Sequence, residues 1–145
     1  MKVAWLELIL PAQVQQSIKQ QQELEVNMTN PFRDQEKFMK ACDQSVTGDQ
    51  KQFDMYMDLI DEEYKELKDA PDDVETVDAL IDILVVTIGA LHSMGADAEG
   101  AWKEVMQTNF AKIDKETGKV RKREDGKVLK PVGWVPPNLE PFVKK

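Results

Sequence analysis

The chain has 145 residues, 41% hydrophobic and 32% charged, which is one domain's worth with enough apolar matter for a real core. A formal net charge of −8 argues against general nucleic-acid binding, and the single cysteine, Cys42, excludes an intramolecular disulfide and points to a reducing, cytoplasmic setting. No signal peptide or membrane span is expected. The apolar run 3–10 is short and carries Glu7, while the span-length stretch 79–96 is interrupted by Asp82 and His92.

Residues 13–26 read as a helix, apolar only at Val14, Ile18 and Leu24 among Gln and Glu, hence a surface or oligomer-contact element. Asn30 before Pro31 breaks it. A short helix follows over 32–44, with Phe38, Met39, Ala41 and Cys42 near one face, and then a polar linker around Gly48. Over 53–69 the apolar positions Phe53, Tyr56, Met57, Ile60, Tyr64 and Leu67 recur at spacings of three and four, an amphipathic helix with its acids on a neighbouring face. Ala70-Pro71-Asp72-Asp73 ends it and starts the next, with Asp73 as N-cap. That helix, 74–93, is apolar on nearly every face and closes at Met94-Gly95. A further helix over 97–112 turns Trp102, Val105, Met106 and Phe110 to one side.

Beyond it the charge reverses: residues 111–130 hold eight Lys or Arg against four Asp or Glu. Two basic runs, 119–123 and 127–130, flank Glu124-Asp125-Gly126, which predicts a β-hairpin. The Pro-rich residues 131–145 read as an extended strap, and Trp5, Trp102 and Trp134 as core or oligomer contacts. The expected organisation is an N-terminal extension, 1–30, before a body, 31–145. The expected fold is all-α, an antiparallel four-helix-type bundle with a C-terminal β-hairpin and tail. An all-apolar helix in so small a chain needs cover on every side, which suggests a homodimer or homotetramer.

The chemistry lies in two acidic stripes. At about 100° per residue, Glu62, Glu63 and Glu66 share one helix face, and Glu75, Asp78 and Asp82 share a face of the next. The short connection makes the helices antiparallel and brings the stripes towards each other. Acids on a helix with almost no polar face need a cation, a base or a proton, because desolvating an ionised carboxylate costs several kcal/mol or more. Clustered carboxylates with phosphate oxygens are the usual shell of Mg²⁺. With one histidine and no Glu-x-x-His pair, a di-iron carboxylate site is not expected. The plainer alternative is a non-catalytic helical oligomerisation protein whose stripes are solvated or pair with lysines.

Glu62-Glu63-Tyr64-Lys65-Glu66-Leu67 followed by Asp78-Ala79-Leu80-Ile81-Asp82 resembles the EExxE…(E/D)xxxD core of the all-α, MazG-like nucleoside triphosphate pyrophosphohydrolases. The blocks around Phe38, Asn109-Phe110-Ala111-Lys112, Glu124-Asp125-Gly126-Lys127 and Pro136-Pro137 resemble the phosphoribosyl-ATP-pyrophosphohydrolase-like branch, over about 32–137. The resemblance implies Mg²⁺-dependent hydrolysis of a nucleoside triphosphate between the α and β phosphates, with Mn²⁺ able to substitute. Pool housecleaning is one role, and phosphoribosyl-ATP hydrolysis in histidine biosynthesis the alternative. It implies Glu63, Glu66, Asp78 and Asp82 as ligands with Glu75 a further one, and Glu62 with Glu63 as the catalytic pair, Glu62 orienting or deprotonating the attacking water. The literal Glu75-x-x-Asp78 and an alignment ending on Asp82 both fit the family's ExxD, although the second puts Ala79 where a Glu often stands. By resemblance Lys112 meets phosphate and Asn109 phosphate or sugar, although the same pair suits an ordinary helix end. Lys127 and Lys130 are further phosphate candidates, and Gln44 is either a base contact or a helix cap.

Overall fold

A computed structural model describes residues 10–27 and 30–143. Residues 3–9 of the N-terminal apolar run, Trp5 among them, lie outside the described residues, as do the last two of the tail. The chain divides into two units, 1–30 and 31–145. The first contains helix α1 (Ala12–Asn27), whose start is tied down by Gln15 Nε2 donating to the Leu10 carbonyl at 2.8 Å. Val14 and Leu24 are both exposed on it, in keeping with its run of glutamines.

The second unit is built on α2 (Pro31–Ala41), α3 (Gln50–Asp69), α4 (Asp73–Ser93) and α5 (Ala98–Phe110), with a short 3₁₀ turn at Glu140–Phe142. Three of these starts carry an Asx cap. Asp49, Asp72 and Asp97 accept from the amides of Gln52, Glu75 and Gly100, satisfying donors that a helix start leaves without partners. The N-cap of α4 is therefore Asp72, one residue before the one expected. Adjacent aspartates are chemically equal there, and Asp72 is the one with extended backbone.

Helices α3 and α4 form the central antiparallel pair, and α2 packs on α4. Their approach is set at Gly89, where a Cβ would lie within 2.7 Å of three Tyr56 ring atoms, so α4 offers bare backbone to the ring. Tyr56 is buried with Met39, Val86 and Ala90, while Val46, Phe53, Leu59 and Ile60 pack around them. Its hydroxyl donates to Gln44 Oε1 at 2.6 Å, satisfying a polar tip inside the core. Gln52 ties the 45–49 linker to the end of α4 by donating to the Ser45 carbonyl and to Ser93 Oγ. His92 is buried too, its Nε2 2.8 Å from the Phe32 carbonyl; because that oxygen can only accept, the imidazole donates there and links α4 to α2.

The all-apolar reading of α4 holds for only part of its surface within one chain. Its C-terminal half is buried at Val86, Ile88, Gly89, Ala90, His92 and Ser93, while Val74, Val77, Leu80, Ile81 and Leu84 stand in solvent.

The hairpin expectation is corrected: among the described residues there is no strand. The chain does reverse at Gly126, which has φ 83°, but antiparallel pairing is limited to the isolated bridges Ile113↔Val120 and Lys122↔Val128. A lone two-stranded ribbon is marginal in water, and this one would set Lys and Arg side by side with little apolar surface to cover.

The tail forms the expected strap. It runs the length of α5 in the opposite sense: Trp134 Nε1 donates to the Thr108 carbonyl at 2.7 Å, the Asn138 amide to Glu104 at 3.0 Å, and the Asp97 amide to the Phe142 carbonyl at 2.9 Å. The Phe142 ring lies where a Cβ on Gly100 would meet it at 2.7 Å.

Candidate active site

Helix α3 carries Glu62, Glu63 and Glu66 on its last two turns, and α4 carries Glu75, Asp78 and Asp82 on its first three. Because the helices are antiparallel and joined by three residues, the stripes meet at the turn. Glu66, Glu75 and Asp78 line one cavity of about 270 Å³ there, with Asp69, Ala70, Pro71 and Ala79. Buried Ala79 is small enough to leave the acids of both helices facing a common space.

Glu63 sits deeper. Its Oε2 is shut off from solvent and has no hydrogen-bond partner. Burial pushes its carboxyl above the usual range, and Glu66, Asp82, Asp78 and Glu62 push it the same way. Glu63 therefore feels both stripes at once. Among the described residues no lysine or arginine relieves it, and none of these acids joins an ion pair.

These residues suit a divalent cation. The donors are all hard carboxylate oxygens, one of them buried without a partner, on two helices across a cleft. As the side chains stand, no group of three converges tightly enough to hold an ion among the described residues. Binding requires Glu66, Asp78 and Glu75, all exposed, to swing inwards about their side-chain torsions.

None of the substrate candidates lines this cavity. Lys112 Nζ donates to Asn109 Oδ1 at 3.0 Å at the far end of α5, and its ammonium lies over the Trp134 ring. Asn109 turns its amide to the Met106 sulfur. Lys127 is exposed beyond the chain reversal, and its backbone amide donates to Asp125. Gln44 is half-buried and gives its Oε1 to Tyr56, which makes it a core contact in this state. Two residues were missed by sequence reasoning. Asp69 lines the cavity with Glu66, and its i+3 spacing from Glu66 could have flagged it. Trp134 gathers Lys112 and Lys130, a long-range encounter that no local pattern encodes.

The sequence profile of the family described as phosphoribosyl-ATP pyrophosphohydrolase matches residues 33–109, more than half of the chain. The chain belongs to this family, within the MazG-like all-α nucleoside triphosphate pyrophosphohydrolase superfamily, and is a hydrolase acting on phosphoric anhydride bonds. Members are typically dependent on a divalent metal. No curated protein matches the chain. Family membership displaces the non-catalytic oligomerisation reading.

Proposed function

We propose that the chain is a Mg²⁺-dependent nucleoside triphosphate pyrophosphohydrolase that cleaves between the α and β phosphates, giving a nucleoside monophosphate and pyrophosphate. The observation that carries this reading is Glu63, held against four other carboxylates with a buried, partnerless oxygen. Glu63, Glu66, Asp78 and Asp82 would hold the ion, with Glu75 and Asp69, which line the cavity beside Glu66 and Asp78, as further donors. A bound divalent ion supplies neutralisation of the polyphosphate and alignment of its anhydride bond. Glu62, exposed beside Glu63, orients the attacking water and accepts its proton as the new P–O bond forms and the bridging P–O bond breaks. The water's oxygen stays on the phosphorus attacked, the bridging oxygen stays on the other, and the nucleoside monophosphate and pyrophosphate leave.

The family's own description favours a second reading, phosphoribosyl-ATP as substrate. Both substrates break the same kind of bond. A panel of ribo- and deoxyribonucleoside triphosphates and phosphoribosyl-ATP, assayed with Mg²⁺ for pyrophosphate and monophosphate products, separates them. Turnover of phosphoribosyl-ATP alone would replace the first reading with the second, and no product from any substrate would remove both.

The working unit on this reading is a homodimer or homotetramer. The open row on α4 supports it: Val74 is 75% exposed and Leu84 56% in the single chain, which is costly in water without a partner. A second copy would also be a source of cationic side chains near the acid stripes, since this chain's own Lys112 is held over Trp134.

A further inference from the structure

The strap engages a single face of α5. Phe142, Asn138 and Trp134 meet Gly100, Glu104 and Thr108, which are spaced four residues apart and so stack on one side of the helix. The first of these contacts has a seat made for it. Gly100 lies in the first turn of α5, where glycine is a poor helix former, and a Cβ there would meet the Phe142 ring at 2.7 Å. The half-buried ring therefore rests on bare backbone, while the Phe142 carbonyl accepts from the Asp97 amide at 2.9 Å. The same end of α5 is tied across to α2, where Arg33 donates to Glu99 through two nitrogens.

The far side of the strap leads back into residues 114–130, which contain neither helix nor strand. The Asp114, Arg123 and Leu129 amides donate to the Lys119, Lys127 and Arg121 carbonyls, so the segment is tied to itself. Where it sits on the body is set by its two ends, the close of α5 and the strap. The lysines for which phosphate contacts are expected, Lys112, Lys127 and Lys130, lie on this segment or at its edge.

We propose that Phe142, seated on Gly100, is a positioning residue for the hydrolysis: it anchors the strap, and through the strap it holds the basic segment where the polyphosphate binds. The positioning role rests on the hydrolase reading for its substrate. Phe142 lies outside the matched residues 33–109, so it belongs to this chain's own tail and not to the family profile. None of the three lysines lines the acid cavity, so unseating the ring touches substrate binding and leaves bond cleavage alone.

The test combines hydrogen exchange by NMR with steady-state kinetics in Mg²⁺, on the full chain, with nucleoside triphosphates and phosphoribosyl-ATP as substrates. Phe142→Ala should speed exchange of the Trp134 indole N–H and the Asn138 amide while the α3 and α4 amides exchange as in the parent. It should also raise KM roughly fivefold at unchanged kcat. Gly100→Ala fills the seat from the other side and should do the same, although alanine favours the helix, a combination that general destabilisation does not produce. Phe142→Tyr keeps the ring and should restore both readouts. Val143→Ala, at an exposed neighbour, should match the parent throughout. Parental exchange at Trp134 and Asn138 in Phe142→Ala and Gly100→Ala overturns the anchor. Faster exchange with an unchanged KM, or a loss in kcat alone, overturns the positioning role. Failure of the hydrolase reading looks different: the parent would release no product from any substrate, which removes the positioning role too, while exchange still decides the anchor.

Discussion

Substituting Gly89 by alanine tests the contact that sets the distance between the two acid-bearing helices. Inside a helix, alanine is better than glycine by about 1 kcal/mol, so propensity alone predicts stabilisation. The structure predicts the reverse, since the new methyl would lie within 2.7 Å of three Tyr56 ring atoms where about 3.5–4.0 Å is needed. Tyr56 is buried among Met39, Val86 and Ala90, so its ring has no open space to enter. Overpacking of this kind costs about 1–3 kcal/mol, and displacing the ring also strains its bond to Gln44, worth about 1 kcal/mol. Net of the propensity gain, Gly89→Ala should destabilise by about 2 kcal/mol, lowering the melting temperature by roughly 8 °C for a domain of this size. Thermal unfolding by circular dichroism measures it. A double variant with Tyr56→Leu should recover part of the loss, a coupling that a double-mutant cycle isolates. A higher melting temperature for Gly89→Ala alone would refute the close approach, and with it the placement of the stripes across the cleft.

Other expectations follow from the charges and the open face. Glu63→Gln removes the buried charge pressed by Glu66, Asp82, Asp78 and Glu62, and in EDTA should stabilise by up to about 1 kcal/mol once solvent screening is allowed for, while reducing any melting shift caused by Mg²⁺; a drop in EDTA would contradict it. The Asp114 carboxylate accepts from the Thr117 and Glu116 amides, both at 2.9 Å, which hold its pKa below the usual 3.8. A depressed carboxyl contributes stability that is present above pH 3.8 and is lost as pH falls through the lower folded value, so the pH-dependent movement of the Thr117 and Glu116 amide signals should have its midpoint below pH 3.8. Leu84→Glu, on the open row of α4, should leave each chain folded but shift the mass in light scattering to that of a monomer; an unchanged assembly would move the interface elsewhere.

The helices of the second unit were legible because apolar spacing is a local property. The recurrence of Phe53, Tyr56, Ile60 and Leu67 and the Asp72-Asp73 pair mark the hairpin of α3 and α4 to within a few residues. The stripes were legible for the same reason, since residues three and four apart share a face. What covers an apolar helix is not local. The sequence required α4 to be covered, and the single chain covers mainly its C-terminal half. Glu124-Asp125-Gly126 correctly marks a reversal, but a turn signal does not supply partners for the flanking segments, and only isolated bridges form. Gln44 read as either a base contact or a helix cap, because its partner Tyr56 is twelve residues away. Glu63, by contrast, is distinguished from its neighbours only by depth, which periodicity does not give.

The most direct test is a titration with Mn²⁺ followed by the electron paramagnetic resonance of the free ion, on the full chain and on Glu63→Gln, Asp78→Asn and Asp82→Asn. Saturable uptake by the parent, displaced by Mg²⁺ and weakened in each variant without loss of helical signal, is the expected result. Uptake that is absent, or identical in all four proteins, would contradict a divalent site shared between α3 and α4.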